Sequence, residues 1–258
     1  MDDRQRRLWL VAGTGDGPPL ARRLLDRGWC LRVSVVGAAA AAAYSPHPRL
    51  ECRVGPLGEG TALAQRLAQW PCRWLIDASH PFAVRISRAL DQGCAELGQP
   101  LLRLARPVLP PGSARVMADL QQLPPLLTPG DDLLLAIGQR HLAEALAHSP
   151  AGRHATRLLP TPASLAAALA LGFPADRIAL LRPGGDGTIE RALCRRWQTT
   201  AILCRQSGST AEAAWHGVSR ALGLKLLLLA RPDSDSGTPM LDLERLLDQV
   251  GEVPPPGE

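Results

Sequence analysis

Short apolar runs alternate with segments of helical period along almost the whole chain, and no other feature limits the fold so tightly. "RLWLVAG" (7–13), "LRVSVVG" (31–37), "RLECRVG" (49–55), "RWLIDAS" (73–79) and "PLLRLARP" (100–107) read as strands. Between them 18–28, 61–70 and 83–98 carry apolar residues at helical spacing. Strands that are apolar on both faces and alternate with helices imply a parallel sheet covered on both sides. "RPVLPPGSARV" (106–116) is rich in proline and places a domain boundary. The rhythm then resumes, with strands expected near 114–118, 132–137, 154–159, 177–182, 200–204 and 224–229. The expected class is α/β, with two Rossmann-like parallel-sheet domains and a cleft between them: residues 1–108, residues 109–250, and a frayed tail at 251–258. "GAAAAAA" (37–43) reads as an Ala-rich helix start or a tolerant loop.

In such sheets ligands bind beyond the carboxyl ends of the strands. "VAGTGDGPP" (11–19) stands at the first strand-to-helix junction, where backbone N–H groups and a helix N-terminus meet phosphate. Gly13 and Gly15 supply the tight turn and the close approach, and Pro18 takes the place of the third glycine of G-x-G-x-x-G. The end of the second strand offers Gly37 and Ala38, so neither an acidic residue nor an arginine selects between NADH and NADPH there. A second cluster, "DASHPFA", crowds Asp77, Ser79 and His80 onto the end of the fourth strand. A helix needs one capping residue, so this crowding marks a candidate site. Three Arg-Pro pairs also end apolar runs, and Arg106, Arg182 and Arg231 are expected to form an anion-facing rim.

Composition narrows the partners. The net charge is +5 and Lys225 is the single lysine, so arginine supplies the positive charge, a residue suited to bidentate capture of carboxylate or phosphate. Aromatic residues are only 3%, too few for base-stacking nucleic-acid modules. The scattered cysteines give neither a zinc spacing nor a disulfide framework, which fits a reducing cytoplasm. No stretch approaches the roughly 20 apolar residues of a membrane span, and the N-terminal apolar run is too short for a signal peptide. The expectation is a cytoplasmic monomer or small homo-oligomer with no nucleic acid, membrane or metal partner.

On these residues the chain resembles the precorrin-6A reductase family of cobalamin biosynthesis. "AGTGDG" is similar to the family's G-G-T-G-E-A, "RVGPLG" (53–58) to its R-x-G-G-x-G, and "DASHPFAVRIS" to its D-A-T-H-P-[FY]-A-x-x-[IM]-S. "RLARP", "AIGQRHL" (136–142), "LLRPGG", "RQSGS" (205–209) and "LLLLARP" follow in the family's order. Ala38 stands where the family commonly has Arg, Arg205 and Ser209 depart from its K-[NA]-S-G-G, and Trp215 aligns with a usual Lys.

The resemblance implies a nicotinamide-dependent reductase, with NADPH or NADH as cofactor. It would add a hydride and a proton across one ring double bond of precorrin-6A or its cobalt counterpart, a polycarboxylate tetrapyrrole. It implies that Gly13, Thr14, Gly15, Asp16, Gly17, Ala78 and Ser79 hold the cofactor. His80 or Asp77 manages the proton, unless water does. Arg106, Arg182, Arg231, Ser207 and Gly208 meet the substrate. Two other classes stay open: a non-catalytic nucleotide-binding module, and an S-adenosylmethionine-dependent tetrapyrrole methyltransferase.

Overall fold

The computed structural model describes residues 3–13, 15–182, 185–232 and 237–253. Among them the chain forms twelve strands in two six-stranded, wholly parallel sheets, in two compact units. The first unit comprises Met1–Pro107 and Asp233–Glu258, and the second Val108–Pro232. No helix among the described residues is long and apolar enough to cross a membrane.

The first unit contains β1 (Arg7–Ala12), α1 (Gly17–Asp26), β2 (Cys30–Val35), α2 (Ala38–Ala41), β3 (Leu50–Val54), α3 (Gly60–Gln69), β4 (Trp74–Ala78), α4 (Val84–Leu97) and β5 (Leu101–Leu104). The second contains β6 (Arg115–Met117), β7 (Asp132–Ala136), α5 (Leu142–His148), β8 (Arg153–Leu158), α6 (Pro162–Ala170), β9 (Ile178–Leu180), α7 (Thr188–Arg196), β10 (Ala201–Arg205), α8 (Thr210–Leu222) and β11 (Lys225–Leu229). The chain then returns to the first unit as β12 (Met240–Leu241) and α9 (Leu243–Val250).

The two sheets share one plan. The first runs β12-β5-β4-β1-β2-β3 and the second β6-β11-β10-β7-β8-β9. Each strand has its counterpart six strands later, except that the sixth strands are exchanged. β6 follows β5 in sequence but pairs with β11, while β12 follows β11 but pairs with β5. Arg106-Pro107 and Arg231-Pro232 stand at the two crossings, the last residues before the chain changes unit.

The exchange corrects the expected C-terminal boundary at 250. Residues 240–250 serve the first unit, where Leu246, Leu247 and Val250 are buried in the same core as Leu20 and Leu24 of α1. Asp242 caps α9 by accepting from the Arg245 N–H, and Arg23 forms an ion pair with Glu244. The expected fraying does not begin at 251 either. The Trp29 indole donates to the Gly251 carbonyl at 2.9 Å, and the Val253 N–H to the Arg27 carbonyl at 3.1 Å. The rest of that tail, 254–258, lies outside the described residues.

The period-2 geometry of a strand sorts β1 onto two cores. Leu8, Leu10 and Ala12 face α1 and α9, whereas Trp9 and Val11 face Leu63 and Leu67 of α3 and Leu90 of α4. Burial on both faces is why these strands read as unbroken apolar runs. Each fully buried leucine contributes on the order of 2 kcal/mol.

Candidate active site

In the first sheet β1 lies between β2 and β4. The helix after β1 packs on one face and the helix after β4 on the other, so the two loops part at the β1/β4 boundary. This is the switch point of a doubly wound sheet, where a crevice opens for a ligand. Val11 is opposite Asp77 and Ala12 opposite Ala78. The register therefore starts the glycine loop and the Ser79–His80 segment side by side.

The glycines of that loop differ in what they are for. A Cβ added at Gly13 or Gly15 meets nothing within 4 Å, and neither has the positive φ that favours glycine. No neighbour among the described residues requires them to lack a side chain. A Cβ at Gly17 would fall 2.7 Å from the Ala12 Cβ and against the Tyr44 hydroxyl. Gly17 thus permits close packing of α1 on β1. Thr14 lies outside the described residues. Asp16 occupies the N-cap of α1 without a side-chain cap bond. Its Oδ2 instead lies 2.6 Å from the Nε of Arg106, whose side chain is 8% exposed.

Tyr44 had no place in the sequence reading. The short α2 formed by the alanine run delivers it to the loop, where its hydroxyl donates to the Gly13 carbonyl at 3.4 Å. Burial pushes its phenol far above the usual tyrosine range. It is the only tyrosine in the chain, and the signal available was its position just after a second-strand segment.

At the end of β4, Asp77 is 2% exposed and its carboxylate is fully engaged. Oδ1 accepts the Ser79 N–H at 2.9 Å, and Oδ2 accepts the Ser87 hydroxyl at 2.7 Å and the Arg103 Nε at 3.0 Å. Arg103 continues to Asp91 and to the Ser87 carbonyl. The Asp91 carboxylate in turn accepts the Thr238 hydroxyl. Asp77 thereby fixes the strand-end turn from within, and Ala78 is buried beside it. Ser79 and His80 are half-buried. The His80 Nδ1 accepts the Phe82 N–H at 3.2 Å, which assigns the proton of the neutral ring to Nε2.

The second unit has its own switch point, between β7 and β10. There Ser207 and Gly208 both donate their N–H groups, at 2.6 Å, to Oε2 of Glu212, which is 1% exposed. Ser209 caps α8 and Glu212 sits three residues later, a capping box whose carboxylate reaches back over the loop. The N–H groups expected to meet substrate are thus occupied by a carboxylate of the chain itself.

Of the arginines expected to form a rim, Arg106 belongs to the first unit and Arg182 and Arg231 to the second. Arg106 serves Asp16, and the Arg231 Nε donates to the Gln206 carbonyl at 3.0 Å. Arg182 is exposed beyond β9, four strand positions from β11, or roughly 19 Å across the sheet. The sequence reading gave no role to His141, after β7, whose imidazole burial and then Arg205 hold below the usual histidine range.

A glycine loop and a polar strand end flanking the switch point of a doubly wound sheet define the class, an α/β enzyme with its ligand crevice at the carboxyl ends of the strands. The family model described as precorrin-6x reductase CbiJ/CobK matches residues 7–251, and the chain belongs to that family. Its activity is the reduction of precorrin-6A or cobalt-precorrin-6A in corrin ring biosynthesis, and a reductase needs a reducing cofactor. Among curated relatives it is 32% identical over 253 residues to a cobalt-precorrin-6A reductase of a Synechocystis species, covering 95% of this chain and 96% of the relative. It is 30% identical over 240 residues to a precorrin-6A reductase of Mycobacterium tuberculosis, covering 92% and 93%. A solved structure of CobK precorrin-6A reductase superposes with a TM-score of 0.75 at 26% identity, over 96% of this chain and 98% of that one.

Proposed function

We propose that the first unit binds a nicotinamide dinucleotide, NADPH or NADH, at its β1/β4 switch point and presents it to the macrocycle there. The observation that carries this reading is the open space at Gly13 and Gly15. Two glycines that neither backbone conformation nor packing requires leave room for a ligand phosphate against the backbone at the start of α1. Arg106 supports it, since its ion pair draws the Asp16 carboxylate away from the loop N–H groups that an anion needs. When bound, the nicotinamide supplies the hydride that, together with one proton, saturates a ring double bond of the substrate.

Asp77 acts as a positioning residue, because a carboxylate engaged by a guanidinium, a hydroxyl and an N–H is held away from substrate. His80 presents Nε2–H as a neutral hydrogen-bond donor that orients the acceptor ring. An imidazolium acid would need a proton on Nδ1, which already accepts from Phe82. Water then supplies the proton. Arg182, exposed at a strand end, is the arginine assigned in this reading to a substrate carboxylate; Arg106, Arg231, Ser207 and Gly208 each make contacts that hold their own loops.

Anaerobic incubation of the purified protein with precorrin-6A and, separately, its cobalt form tests this reading. Each is run with NADPH and with NADH, following nicotinamide absorbance and product mass. A gain of two hydrogens matched to nicotinamide oxidation is expected, and absence of turnover in every pairing overturns it.

A further inference from the structure

The amino-terminal end of the second sheet, opposite its switch-point loops, holds a charged cluster that the reductase reaction does not use. Asp132 opens β7, Arg153 opens β8 and Arg177 immediately precedes β9. Asp132 Oδ2 accepts from the Arg153 Nη2 at 2.7 Å and Oδ1 from the Arg177 Nη1 at 3.2 Å. One carboxylate cannot satisfy ten guanidinium N–H donors. It can, however, hold two planar forks in place on neighbouring strands. Asp132 is 7% exposed and the Arg177 side chain 17%, so this pair is built into the unit, while Arg153 joins it from the surface.

Beside it lies a cavity of about 330 Å³, whose lining combines these two arginines and His154 with Leu146, Leu171 and Phe173. The His154 Nε2 is 2.8 Å from the Ser149 hydroxyl. Two guanidinium groups and one carboxylate leave a net single positive charge in a lining that is otherwise largely apolar. A ligand matching both features has one anionic group and a compact apolar body. The volume is at the small end of ligand pockets, and the paired forks fit a planar carboxylate or a phosphate.

We infer that this cavity is a second ligand site, for a small amphipathic anion with a single acidic headgroup, such as an aryl or branched-alkyl carboxylate or phosphate ester. β8 separates it from the carboxyl ends of the same sheet by six residues, or roughly 20 Å. Its occupant therefore does not compete at that sheet's switch point.

The test titrates the full chain with phenylacetate and phenyl phosphate, and with 2-phenylethanol and acetate as partial mimics, by calorimetry and by the histidine ring proton resonances. At least one aryl anion is expected to bind saturably at one equivalent and to shift a histidine. The neutral alcohol and the bare acetate bind at least about ten-fold more weakly, as expected for loss of charge-assisted hydrogen bonds or of the apolar body. Whichever of the two anions binds more tightly assigns the headgroup. Arg153→Gln, at a side chain 55% exposed whose loss leaves Arg177 on Asp132, weakens binding about ten-fold or more with corrinoid turnover unchanged. Leu171→Trp, at a half-exposed wall position, fills the cavity and abolishes binding. Absence of saturable binding by either aryl anion, or binding that survives both substitutions, overturns the inference.

Discussion

Arg103 sets its guanidinium between two carboxylates, 3.0 Å from Asp77 at the end of β4 and 3.0 Å from Asp91 on α4. The arginine side chain is 9% exposed and that of Asp77 1%. This buried group ties the strand that carries the site to the helix that follows it. Removing one partner from a buried charge cluster leaves the others without compensation, which costs about 3–5 kcal/mol. Arg103→Met is therefore expected to lower unfolding stability by about that amount in urea titrations. Adding Asp77→Asn to it recovers part of the loss, because one of the stranded charges is gone. Additive effects of the two substitutions would show that the pair is not coupled.

His80 separates two chemical roles by its ring nitrogens. Asn at position 80 can still accept the Phe82 N–H through its side-chain oxygen, preserving the turn, but cannot reach as far as Nε2. His80→Asn is expected to keep the parent melting temperature and to lower kcat by about 10–100-fold, the value of a lost hydrogen bond of 1.5–3 kcal/mol. The pH profile of kcat keeps its shape in the variant, since in this reading water, not the imidazole, supplies the proton. A parent profile with an alkaline limb that His80→Asn removes would instead make His80 the acid.

The glycine loop predicts opposite readouts at two positions four residues apart. Gly13→Ala puts a methyl into open space, so the melting temperature stays put while the KM for the nicotinamide rises about ten-fold or more, through loss of phosphate approach. Gly17→Ala drives a methyl against Ala12 and Tyr44 and is expected to cost about 1–3 kcal/mol of stability, as overpacking does. Adding Tyr44→Phe to Gly17→Ala restores part of it. A Gly13→Ala protein that binds nicotinamide as the parent does would remove the cofactor from this loop.

What the sequence made legible follows from how local each signal is. β1, β4, β7, β10 and β11 are buried on both faces, and their apolar runs declare them. The exchange of β6 and β12 is invisible, because strands of three and two residues carry no period and their partners are set by pairing distant in sequence. The Arg-Pro pairs were visible, but Arg106 finds its partner Asp16 ninety positions away in the chain, and nothing local distinguishes that pair from a solvent-facing rim. Asp77 was legible as an unusual residue, offered with His80 as a candidate for the proton, but its buried ion pair was not, since the reading passed over the charge inside the apolar run at 101–104. That charge, Arg103, was the signal of a buried partner.

Asp131, just before β7, gathers the Thr128 and Thr200 hydroxyls and the Lys225 ammonium, 2.9 Å away, at the amino-terminal edge of the second sheet. Burial alone pushes its carboxyl up. Lys225 first, and then the Thr128 and Thr200 donors, outweigh that and hold it at about 2. An unfolded aspartate takes up its proton near pH 3.9, about the model-peptide value. Between about pH 4 and pH 2 the unfolded chain thus binds the proton that the folded chain refuses. The stability from this cluster is complete above pH 4 and is lost as the pH falls through the folded value. Asp131→Asn removes that dependence. Urea midpoints measured from pH 5 down to pH 2.5 are expected to fall less steeply below pH 4 in the variant than in the parent, and parallel curves would deny the cluster its share in acid unfolding.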